Sequence, residues 1–104
     1  MKLKVQFQYF EGCPNHEKLH KNLIEAIKGL EDKINLEEIL VEDEETAKKV
    51  KFRGSPTLLI NGEDIENLSA PEEPVLACRF YPKGIPSAEI IREKILQKLA
   101  KESY

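Results

Sequence analysis

The chain predicts an α/β fold with its elements in the order βαβαββα, a four-stranded mixed sheet flanked by three helices. Three observations lead there: alternating apolar and polar residues near the N-terminus, two stretches with apolar residues at helical spacing, and a short continuously apolar run behind a proline. Leu3, Val5, Phe7 and Tyr9 alternate with Lys4, Gln6 and Gln8, the mark of a half-buried strand, and Phe10-Glu11-Gly12 ends it. Leu19, Leu23, Ala26, Ile27 and Leu30 then recur every three or four residues, so a helix is expected over 15–30 with Gly29 at its fraying end. Ile34 to Val41 reads as a second strand, and Glu37 and Glu38 suggest that it lies at an exposed edge. Acidic residues from Asp43 onward suit the positive end of a helix dipole, and Ala47, Val50 and Phe52 supply a short apolar stripe for a helix over 43–51.

Thr57 to Asn61 is a third strand, apolar on successive residues and therefore central. Residues 62–74, with Gly62, Pro71 and Pro74, read as a loop too long for a hairpin, and Val75 to Tyr81 as the fourth strand. After a turn over Pro82 to Pro86, Ser87 caps a last helix over 87–101 carrying Ile91, Ile95 and Leu99. The first and third strands are expected at the centre of the sheet, with a right-handed crossover joining the first two strands. Leu23, Ile27, Leu59, Ile91 and Ile95 are expected to be buried.

With 104 residues the chain is expected to form one domain, residues 1–104. Hydrophobic residues at 40% and charged residues at 34% fit a soluble globular protein. A net charge of −3 speaks against a nucleic-acid partner, because neutralising phosphates needs a basic surface. No run approaches the ~18 apolar residues of a membrane span, and Met1 to Gln6 alternates instead of building a signal-peptide core. A cytoplasmic protein with no membrane partner and no cofactor is the expectation. Two cysteines are too few for a disulfide scaffold; they read as a reactive thiol, a soft ligand or inert core.

Two motifs carry the chemistry: Cys13-Pro14-Asn15-His16 after the first strand, and Gly54-Ser55-Pro56-Thr57 leading into Leu58-Leu59-Ile60. Together with the strand ending in Phe7-Gln8-Tyr9, the Gly12-Cys13-Pro14 turn, the Asn61-Gly62 turn and Gly84 before the last helix, they resemble a minimal thioredoxin-fold domain over essentially the whole chain. Gly-Ser-Pro-Thr, Asn-Gly-Glu-Asp, Ala77-Cys78-Arg79-Phe80-Tyr81 and Pro86-Ser87 are similar to a group of small thioredoxin-like proteins, some of them linked to organomercurial lyases. The resemblance implies a cis-proline at Pro56 lying against the reactive cysteine, with Ser55, Pro56 and Thr57 beside an extended substrate. One departure stands out. The redox form of such a site has a second cysteine where this chain has His16.

Cys13 at the mouth of a helix would face unsatisfied N–H groups and the positive dipole end, which lowers a thiol pKa from ~8.5 toward neutrality. It reads as a nucleophile, or else as a small buried turn residue. Pro14 suits the first helical position. His16 cannot resolve a mixed disulfide as a thiol does; it either stabilises the Cys13 thiolate or stands exposed without a partner. Ser55-Pro56 is read as cis from the resemblance and as trans from base rates. Cys78, inside an apolar run, reads as inert core, with a second, resolving thiol or a soft-metal ligand as the alternatives. Sequence separation says nothing about its contact with Cys13. A Cys13, His16, Cys78 metal site is a weak pattern, and His20 one turn after His16 belongs more simply to a solvated face.

Three functions follow as expectations. The first is exchange between a single active-site thiol, Cys13, and a protein or low-molecular-weight thiol or disulfide, as a monothiol oxidoreductase would perform. The second is a noncatalytic module binding an extended peptide in the proline-gated groove. The third is soft-metal, mercury-related handling.

Overall fold

A computed structural model describes residues 2–13, 15–74 and 76–102. Its strands are β1 (Leu3–Tyr9), β2 (Ile34–Leu40), β3 (Thr57–Ile60) and β4 (Glu63–Asp64), and its helices α1 (Asn15–Ala26), α2 (Glu44–Val50) and α3 (Ala88–Glu102). The sheet runs β2-β1-β3-β4 and is mixed: β1 is parallel to β2 and antiparallel to β3, which is antiparallel to β4. The architecture is α/β, and β1 and β3 are central as the alternation and the apolar run require.

The helices end where local chemistry says they should. α1 stops at Ala26, four residues before the expected boundary; Gly29 has φ +84°, and Glu31–Lys33 forms one 3-10 turn before β2. Asp43 caps α2 by accepting from the Thr46 N–H at 2.7 Å, and Lys51 closes it in the left-handed region. Ser87 Oγ accepts from the Ile90 N–H at the start of α3.

Paired residues in a sheet share a face, and the two faces differ in chemistry. Leu3, Val5 and Phe7 of β1 and Leu58 and Ile60 of β3 pack with Leu19, Leu23 and Ile27 and with Ile91 and Ile95 of α3. Burial of each such side chain contributes roughly 1.5–3 kcal/mol. Leu23, Ile27, Leu59, Ile91 and Ile95 are all buried. On the opposite face lie Gln6, Gln8, Thr57, Leu59 and Asp64, with a smaller cluster of Val41, Ala47 and Phe52 beside them. Gln8 is fully buried there; its amide N–H donates to Gln6, while its Oε1 has no partner among the described residues.

The fourth strand is not where the sequence reading puts it. Asn61 and Gly62, with φ +54° and +84°, form the two-residue turn of a tight hairpin, so Glu63 and Asp64 fold back on Ile60 and Leu59. The Ile65 N–H then takes the Leu58 carbonyl. With that edge of β3 occupied, residues 76–81 make only one isolated parallel bridge, between Cys78 and Ser55; Val75 lies outside the described residues. No helix among the described residues is long and apolar enough to cross a membrane.

The 77–79 strip packs tightly against Gly54. Gly54 has φ +102°, and a Cβ there would meet Arg79 Cβ at 2.8 Å and Arg79 Cα at 3.2 Å. Gly54→Ala should therefore lower stability by about 1–3 kcal/mol from backbone strain alone. Urea unfolding measures it, and an unchanged midpoint would mean that the strip does not rest on Gly54.

Candidate functional site

The β1–β3 register builds the site. Gln8 pairs with Thr57, so the chain leaving β1 and the chain entering β3 come level at Phe10 and Ser55. Ser55 Oγ accepts from the Phe10 N–H at 2.8 Å and donates to the Phe10 carbonyl at 3.2 Å. That carbonyl also accepts from the Cys13 N–H at 3.2 Å, closing the turn before α1. The main chain of Ser55 faces the other way: its N–H donates to the Ala77 carbonyl and its carbonyl accepts from the Arg79 N–H, each at 2.9 Å. Ser55 thus holds two segments remote in sequence, Phe10 by its side chain and Ala77 and Arg79 by its backbone.

Between them Cys13 and Cys78 form a disulfide with a Cα–Cα distance of 5.7 Å. Neither cysteine is free. This corrects the reading of Cys78 as inert core within a strand: the residue is exposed, on irregular backbone, and covalently paired. Nor is Cys13 a lone thiol here. It is 1% exposed and lies two residues ahead of α1. Pro14 falls outside the described residues.

The Ser55-Pro56 bond is cis. Pro56 is buried, and its carbonyl accepts from the Tyr81 hydroxyl at 2.6 Å. Thr57 Oγ1 donates to the Gly54 carbonyl at 2.6 Å, tying the turn to the start of β3.

A buried ion pair, absent from the sequence reading, supports the Cys78 side. Arg79 Nη1 and Nη2 donate to Asp64 Oδ1 and Oδ2 at 2.6 and 2.7 Å, with side-chain exposures of 4% and 0%. The same carboxylate accepts from the N–H groups of Glu66 and Leu68. Burial works against the charge on Asp64, but the Arg79 hydrogen bonds and charge and the two N–H donors outweigh it and hold the carboxyl below the usual range. Arg79 likewise has its pKa raised: burial opposes its charge, and Asp64 more than restores it. The guanidinium lies 4.4 Å from the Tyr81 ring centre, and burial pushes the Tyr81 hydroxyl up. The available signal was the Asn61-Gly62 dipeptide, which sets the hairpin that turns Asp64 inward.

His16 does not join this cluster. Its ring stacks on Tyr9 at 5.3 Å between centroids, and no hydrogen bond links it to Cys13 among the described residues. His20 packs against Phe7 and meets Glu38 through Nε2. These side chains and Glu11 line a groove between α1 and the sheet. Among the described residues no three His, Cys, Asp or Glu side chains converge as a metal site would require.

No protein-family model matches the chain, and no curated protein matches it.

Removing one partner of a buried pair strands the other, so Asp64→Asn should cost about 3–5 kcal/mol near neutral pH. Because the folded carboxyl titrates below its unfolded value of about 3.9, the pair stabilises fully above that pH. Its contribution fades as pH falls through the folded pKa. Unfolding midpoints of the two proteins, measured against pH, should converge in acid; a constant gap would show that the carboxylate charge is not the cause.

Proposed function

We propose that the chain is a thioredoxin-like protein of minimal thioredoxin fold whose function is thiol–disulfide exchange through mixed disulfides with a protein or low-molecular-weight thiol. The observation that carries this reading is the Cys13–Cys78 disulfide, set next to the cis Ser55-Pro56 turn at the ends of two central strands. A second cysteine does not have to come from the position of His16. Cys78 supplies it from another segment, which replaces the single-thiol cycle expected from Cys13 and His16 with a two-cysteine cycle.

The balance is simple. An external thiolate forms a bond to one protein sulfur as the Cys13–Cys78 bond breaks, and its electron pair leaves on the other cysteine. A second thiol releases the external group as its own disulfide. Two external thiols are oxidised and the protein gains two electrons and two protons. Run backward, the dithiol reduces an external disulfide. A cytoplasmic setting is compatible with this, because disulfides there are characteristically transient and catalytic.

Oxidised protein equilibrated in thiol buffers of defined potential should open at between about −120 and −270 mV, the span of disulfide oxidoreductases. Alkylation of both cysteines reads the opening, and Cys13→Ser should block re-closure. A disulfide still closed below about −300 mV would instead mark it as structural, and the exchange reading would fall.

A further inference from the structure

We infer that Cys78, and not Cys13, is the sulfur that external thiols attack and that carries the mixed disulfide. The inference rests on the exchange reading above and assigns its direction. A thiolate displaces a disulfide along the S–S axis, from behind the sulfur that it attacks. At Cys13 that approach is closed, since the residue, at the end of the Phe10–Cys13 turn, is 1% exposed. Cys78, by contrast, is an exposed residue. The 77–81 strip turns Arg79 and Tyr81 inward, onto Asp64 and the Pro56 carbonyl, whereas Cys78 between Ala77 and Arg79 is exposed and Phe80 is 82% exposed.

An external thiolate bonds to Cys78 Sγ, the Sγ–Sγ bond breaks, and the electron pair departs on Cys13 Sγ. The leaving thiolate lies just ahead of α1, whose first N–H groups lack helical partners, and a stabilised thiolate leaves faster. In the return step Cys13 attacks Cys78 Sγ and expels the external thiolate, restoring the disulfide. Alternatively a second external thiolate attacks the external sulfur, taking it away as a symmetric disulfide and leaving a Cys78 thiolate. The roles expected from the sequence are thereby exchanged: the cysteine before the helix resolves, and the remote cysteine meets the partner.

The test uses the unmodified oxidised chain with glutathione as the probe. Samples are quenched with N-ethylmaleimide at successive short times, and non-reducing peptide mass spectrometry locates the two groups. Extrapolated to the shortest times, before any transfer between the sulfurs, glutathione on Cys78 with maleimide on Cys13 should exceed the reverse adduct by at least about tenfold. The reverse adduct, or equal amounts of both, overturns this assignment and leaves exchange intact. A disulfide that yields no adduct and no new thiol overturns both.

Discussion

The arrangement of the site depends on one buried ion pair. Residues 76–81 have no strand to belong to, and a segment without a ladder needs other bonds to hold it. Asp64 provides them: its two oxygens take both arms of the Arg79 guanidinium and two backbone N–H groups. Bidentate, charge-assisted bonds of this kind combine strength with a fixed orientation. Burying the two charges is unfavourable by itself, so the pair's contribution lies in geometry more than in net stability. Arg79 is fixed, and the residue before it is Cys78.

The rest of the frame converges on the same point from the other side. Apolar packing of α1 and α3 covers one face of the sheet and leaves the second face with Gln6, Gln8, Thr57 and Asp64. Polar side chains on that face give the returning segment something to bond to. The antiparallel register of β1 and β3 then decides where the Phe10–Cys13 turn and Ser55 meet. Both halves of the disulfide are placed by main-chain pairing before their sulfurs are considered.

The sequence disclosed what periodicity can disclose. Alternation from Leu3 to Tyr9 and helical spacing around Leu19 and Ile91 identified strands and helices whose burial is local in origin. Val75 to Tyr81 was misleading because an apolar run says that a segment is covered without saying what it pairs with. Here pairing was decided elsewhere, by the Asn61-Gly62 turn that placed Glu63 and Asp64 on the edge of β3 first. Arg79 drew no separate expectation from the sequence. Its burial follows from an acid 15 residues away, a relation that spacing does not encode. Spacing likewise left the surroundings of His16 open, and its ring lies against Tyr9.

The Ser55 backbone bonds and the Arg79 pair do not pass through sulfur, so they restrain Cys78 independently of the disulfide. In a reduced chain they set the effective concentration of one thiol at the other. Two thiols on flexible chain would meet at the modest effective concentration of a long loop, whereas a strip tied on both sides of Cys78 confines the encounter to a small volume. Closure then competes well against an external thiol in the same solution. In the exchange cycle proposed for the chain, the carboxylate of Asp64, which touches neither cysteine, becomes a determinant of how long a mixed disulfide survives.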